Sequence, residues 1–122
     1  MSALVVAAAI VGGSAGAVIR FLVSHRLPVV RGHLPRGVLI VNVLGSAIGG
    51  ALLGLVERTA VSSEWQYIVV SGVCGGLTTF STWTVETIEL VDGGRWRAAV
   101  LNVLVSLVLG FGVALGAYLL CR

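Results

Sequence analysis

The side chains able to do chemistry in this 122-residue chain are few. Most are neutral amides and hydroxyls set inside long apolar stretches. Asn42 and Ser46 lie four apart, as do Asn102 and Ser106, so on a helix each pair shares one face. Between them runs Gly75-Gly76-Leu77-Thr78-Thr79-Phe80-Ser81-Thr82-Trp83-Thr84. Glycine is poor in helix interiors and hydroxyls compete for backbone hydrogen bonds, so this stretch predicts a broken helix. At membrane depth a break is tolerated only inside protein or beside a wet cavity. Such a break frees backbone carbonyls, which are good ligands for a hard cation. It also sets Phe80 and Trp83 about one turn apart, on the side of the hydroxyls. A structural reading stands beside each feature. The pairs suit interhelical hydrogen bonds, and the third stretch suits a kinked, Thr-rich packing helix. Two pairs opposite a polar third segment favour a lined path.

Charged residues occupy the margins. Arg20 ends the first apolar stretch, and Glu86 and Glu89 lie late in the third; snorkelling to the interface accounts for all three. Cys74 and Cys121 sit in different apolar segments without metal-ligand spacing and read as small apolar residues. Neither a nucleophile–base pair nor a metal-ligand cluster is visible, which argues against an enzyme.

The elements that must position these residues follow from composition. The chain is 57% hydrophobic and 11% charged, with a mean hydropathy of +1.06. A soluble domain carries roughly a quarter charged residues. Residues 1–19, 37–56, 65–85 and 98–121 contain no charge. Each window is long enough for a helix to cross a hydrocarbon core of about 30 Å. The reading is an all-α membrane protein, one four-helix transmembrane domain over 1–122, with helices at about 3–24, 37–56, 65–91 and 96–121. Pro28, Gly32 and Pro35 mark the first linker, Ser62 or Ser63 can cap the third helix, and Asp92-Gly93-Gly94 is a turn. Ala7, Ala8 and Ala9 resemble a cleavage region, but no basic residue precedes them, so a signal peptide is not expected. The basic residues are all Arg and are dispersed at segment ends, which suits interfacial anchoring and not nucleic acid. Arg26, Arg31, Arg36, Arg95 and Arg97 share one side, Arg58 and Arg122 the other. The positive-inside rule then places the first and third loops in the cytoplasm. Every helix holds a Gly-x-x-x-Gly pair: Gly12/Gly16, Gly45/Gly49, Gly72/Gly76 and Gly112/Gly116. Close packing of backbones is expected at each. Four tightly packed helices leave little room for a pore within one subunit, so a conduit is expected between subunits.

Together the segments resemble the Fluc/CrcB family of fluoride channels over nearly the whole chain. The resemblance rests on Gly12-Gly13-x-x-Gly16-Ala17-x-x-Arg20, on Gly37-x-x-x-Val41-Asn42-x-x-Gly45-Ser46, on Gly75 through Thr82, and on Ser106 with Gly110. It implies an antiparallel, dual-topology-type dimer with two fluoride pores at the subunit interface, passive export, and a multi-pass place in a prokaryotic cell membrane. It further implies a structural Na+ at the dimer centre, held by the Gly75 and Thr78 carbonyls. By the resemblance Asn42, Phe80, Ser81, Thr82 and Ser106 line the pore, and Trp83 and Asn102 hold the positions of a second Phe and a Tyr. Arg20 and Glu86 take structural or vestibule places. Donors from amide and hydroxyl groups suit a small, strongly hydrated anion, as do aromatic edges.

Two other functions use four helices. A small multidrug-type exchanger needs a membrane-embedded carboxylate, yet residues 1–56 contain no Asp or Glu. A non-conducting assembly subunit would use its polar residues for packing alone. The family also includes heterodimers of diverged subunits, which the Arg asymmetry fits, so the partner is either a second copy or a related chain.

Overall fold

The structure is a computed structural model and describes residues 1–30 and 33–122. Arg31 and Gly32 of the expected first linker lie outside the described residues. Helices α1 (Ala3–Arg26) and α2 (Arg36–Glu57) are continuous. The third span is assembled from α3 (Ser63–Gln66), a π-helical run (Tyr67–Cys74), α4 (Gly75–Leu77) and α5 (Phe80–Asp92). Helix α6 (Trp96–Cys121) completes the bundle. Four spans are long and apolar enough to cross a membrane: Ala3–Arg26, Arg36–Glu57, Ser63–Asp92 and Trp96–Cys121. The chain is a multi-pass membrane protein, and the described residues contain no strand.

Local chemistry sets the ends. Ser2 Oγ accepts from the Val5 amide and caps α1. Of the two candidates for the third span, Ser62 is the cap: its Oγ accepts from the Trp65 amide. Gly94, at φ +76°, turns the chain between α5 and α6.

Two helix pairs form the bundle. Helix α1 lies along the first half of the third span, and α2 lies along α6. Missing side chains permit both approaches. A Cβ on Gly76 would strike the Gly13 carbonyl, and one on Gly16 would meet the Val73 carbonyl and the Leu77 amide. Across the other seam, Gly50 and Gly54 rest on the Ala114 and Tyr118 carbonyls. The Thr78 methyl fills the notch at Gly45 and joins the two pairs.

The expected packing of every Gly-x-x-x-Gly pair is corrected in part. Gly49, Gly112 and Gly116 have no atom within 4 Å of a Cβ position. On α2, Gly50 and Gly54, four apart, pack against α6 and Gly45 packs against Thr78 of the third span, while Gly49 lies on neither contact. This difference makes a prediction. Gly76→Val should force backbone apart and destabilise the subunit by about 1–3 kcal/mol, whereas Gly112→Val should leave it unchanged. Thermal melts of the two variants in detergent check this, and equal melts would contradict the packing.

Candidate functional site at the break in the third span

The break occupies Thr78 and Thr79, both in extended conformation, with φ/ψ of −85°/155° and −146°/124°. Its orphaned backbone groups find a partner in the neighbouring helix. Asn42 Nδ2 donates to the Thr79 carbonyl at 3.0 Å, and the Thr79 amide donates to Asn42 Oδ1 at 2.8 Å. One amide side chain thus pairs with both the N–H and the C=O of a single residue. Ser46 in turn donates to the Asn42 carbonyl at 2.8 Å.

This clasp has a second consequence. In a continuous helix the Thr79 amide would bond the Gly75 carbonyl, and the Thr82 amide the Thr78 carbonyl. Here the first goes to Asn42 and the second to Thr79 Oγ1 at 3.2 Å. The two carbonyls singled out in the sequence therefore lose their helical amide donors. One of the two carbonyls between them in the chain, that of Gly76, accepts from Arg20 Nε at 3.0 Å. Arg20 thus differs from the snorkelling expectation, because its guanidinium reaches the break from α1 and binds a freed acceptor.

Helix α5 starts at the break, so its N-terminal amides and positive dipole end lie at membrane depth. A hydroxyl cluster caps it. Thr79 Oγ1 donates to Thr82 Oγ1 at 3.1 Å and shares a hydrogen bond with Ser81 Oγ at 3.3 Å. Phe80 projects from the subunit with 75% of its surface exposed. Its ring centroid lies 5.5 Å from that of Trp83, tilted by 53°. Asn42, Phe80, Ser81, Thr82 and Trp83 are all brought to the start of α5.

Asn102 and Ser106 approach from α6. Asn102 is buried and its Nδ2 donates to Thr87 Oγ1 at 2.9 Å. Ser106 lines a groove of about 370 Å³ with Ser46, Gly49, Gly110 and Phe111. Glu86 lies further along α5, in a groove of about 350 Å³ with His33, Pro35, Glu89 and Arg95. Among the described residues, three buried side-chain polar atoms lack a hydrogen-bond partner: Trp83 Nε1, Glu86 Oε2 and Ser106 Oγ. Cys74 and Cys121 are free thiols. No group of three His, Cys, Asp or Glu residues that could hold a metal occurs among the described residues.

Sequence reasoning assigned no role to Thr79 or Thr87, the hubs of these bonds. Thr79 could have been found as the N-cap of a helix restarting at Phe80. Thr87 carries no comparable signal.

Residues 7–118 match the family described as CrcB-like protein, Camphor Resistance (CrcB). The chain belongs to the CrcB family. A relative from Serratia proteamaculans named "Fluoride-specific ion channel FluC" is 36% identical over 114 residues, covering 93% of this chain and 90% of the relative. "Fluoride-specific ion channel FluC 1" of Yersinia pseudotuberculosis is 43% identical, with 84% of each chain covered. "Fluoride-specific ion channel FluC" of Methanocaldococcus jannaschii is 45% identical, with 80% of this chain and 78% of the relative covered. Membership of the CrcB family accounts for the four membrane spans.

Proposed function

We propose that the chain is a fluoride-selective channel that releases fluoride passively across the cell membrane and so lowers its cytoplasmic level. The observation that carries this reading is the clasped break at Thr78–Thr79, which gathers neutral donors at the start of a helix inside the membrane. A conduit for a strongly hydrated anion must replace water with N–H and O–H groups. Asn42 retains a second amide hydrogen after serving Thr79, and Ser81 and Thr82 offer hydroxyls. The Phe80 ring can turn its positive edge to an anion.

The working unit is an antiparallel dimer. An exposed polar break cannot face lipid and needs a protein surface over it. A two-fold axis in the membrane plane covers two breaks at once. The residues present fit a Na+ ion at that axis, because the Gly75 and Thr78 carbonyls have lost their helical donors and are hard oxygen ligands. When bound, the cation would offset the desolvation of a nearby anion in a low-dielectric path.

Reconstitution into fluoride-loaded vesicles tests the reading. A fluoride electrode should record efflux when a potassium ionophore dissipates the membrane potential, with no matching chloride efflux. Efflux from the chain alone supports pairing with a second copy. Efflux only alongside a related subunit supports a mixed dimer. No efflux in either preparation overturns the channel, and electroneutral release coupled to protons would replace it with an exchanger.

A further inference from the structure

Trp96 opens α6 at the Arg-rich end of the bundle, just past the turn that ends α5. It is exposed, as are Arg97, Val100 and Leu101. Trp96 and Val100, four apart and on one face, line two grooves and form the ridge between them. The outer groove, about 420 Å³, runs along α6 beside Arg97 and Leu101. The inner groove, about 260 Å³, lies between α6 and α5 against Val91, Ala99 and Val103. Its one lining hydroxyl, Thr87 Oγ1, is already engaged with Asn102 and the Trp83 carbonyl. Beyond the first turn of α6 both grooves therefore offer hydrocarbon alone, and they suit two alkyl chains, one on each side of an indole.

The charge at the mouth is positive. Arg97 lines the outer groove directly. Arg95 lines the neighbouring groove with Glu86 and Glu89, so its charge is shared with their carboxylates. The first turn of α6 holds no acidic residue and no side chain caps it, so the helix dipole adds to the field of Arg97. A guanidinium above two apolar grooves matches a phosphate joined to two acyl chains. A zwitterionic head group would bring its own cation to Arg97, whereas a net-anionic one brings none. An indole suits the same level, with its ring among the chains and its N–H at the head groups.

We infer that the start of α6 is a binding site for an anionic diacyl phospholipid: Arg97 holds the phosphate, and Trp96 is the wedge between the two acyl chains. The site lies at the end of the α5–α6 hairpin away from the break and is independent of the fluoride reading.

Bromine on a lipid chain quenches an indole that it touches, so local lipid composition can be read at Trp96. The full-length chain is reconstituted into mixed phosphatidylcholine–phosphatidylglycerol vesicles with one of the two lipids brominated at a time. The chain has three tryptophans, and the Trp96 signal is the difference between wild type and Trp96→Phe. Brominated phosphatidylglycerol should quench Trp96 beyond its mole fraction, while the remaining emission of Trp96→Phe follows mole fraction. Arg97→Gln should lower the preference about fivefold, the equivalent of about 1 kcal/mol for one Arg near an anionic surface. Arg26→Gln removes the same charge at the same end, from a separate groove on α1 and α2, and should leave the preference unchanged. A melt of each variant confirms that it is folded. Quenching of Trp96 in proportion to mole fraction overturns the site, and equal losses in Arg97→Gln and Arg26→Gln replace it with a diffuse surface charge. Quenching by neither lipid shows that protein covers both grooves, and overturns it too.

Discussion

Asn42→Asp is expected to slow fluoride efflux by about a hundredfold or more while the protein remains folded. The substitution keeps an acceptor for the Thr79 amide but removes the Nδ2 donor to the Thr79 carbonyl. A carboxylate oxygen then opposes a carbonyl oxygen across what was a 3.0 Å hydrogen bond. Losing this part-buried hydrogen bond and stranding its acceptor costs about 1–3 kcal/mol of stability, and the path loses the amide hydrogen that Asn42 had left to offer an anion. A negative charge beside an anion path adds repulsion that a low-dielectric setting strengthens. Asn42→Ala should behave differently. It strands both polar groups of Thr79 without adding charge, so the loss of stability should be larger and the block of fluoride smaller. Flux should be read alongside a melt of each reconstituted variant. Wild-type efflux from a folded Asn42→Asp protein would take Asn42 out of the path.

The clasp shows where sequence reasoning reached its limit. Asn42 is legible as an intramembrane amide, and the hydroxyl run after Gly75 is legible as a place where a helix breaks. The pairing between them is tertiary. It depends on α2 lying beside the third span at one register, which the Gly45–Thr78 contact sets and no local pattern encodes. The four spans were legible to within two or three residues because uncharged windows separated by Arg, Glu and Pro define them directly.

The π-helical run Tyr67–Cys74 had no signal at all. Its composition is that of an ordinary apolar helix, and wide turns of this kind cluster beside functional sites. The run packs along α1, where Gly72 meets the Ala9 carbonyl, and ends just before the break. Glycine spacing was a half-reliable guide. It found the α1 seam, yet it also marked Gly112 and Gly116, which face open space in the subunit. A small-residue pair states that backbones can approach, and only the fold states whether a neighbour is present. The snorkelling account of Arg20 fell short for a related reason. A basic residue near a helix end ordinarily reaches water, but here a freed carbonyl at Gly76 lies within hydrogen-bond range.

Gly75→Val should separate assembly from folding, and efflux should fall to background. Gly75 is exposed, and a Cβ there would meet nothing nearer than the Val70 carbonyl oxygen at 3.8 Å. Within the subunit the branched side chain meets open space, so folding should be little affected. Across the proposed two-fold axis the same side chain would stand where two breaks and their carbonyls converge. The expected product is a folded monomer, seen as loss of the cross-linked dimer. A ligand that binds only the assembled state raises its apparent stability with concentration. The wild-type melt should accordingly rise with sodium chloride and not with a bulky organic cation, and Gly75→Val should lose that dependence. Thr78→Ser is the companion variant. It keeps the backbone carbonyl and the hydroxyl bond to the Cys74 carbonyl at 2.9 Å, giving up only the methyl packed at Gly45. Sodium dependence and efflux should both survive it. A Gly75→Val protein that still dimerises, conducts fluoride and responds to sodium would move the interface to another face and leave the freed carbonyls without a cation.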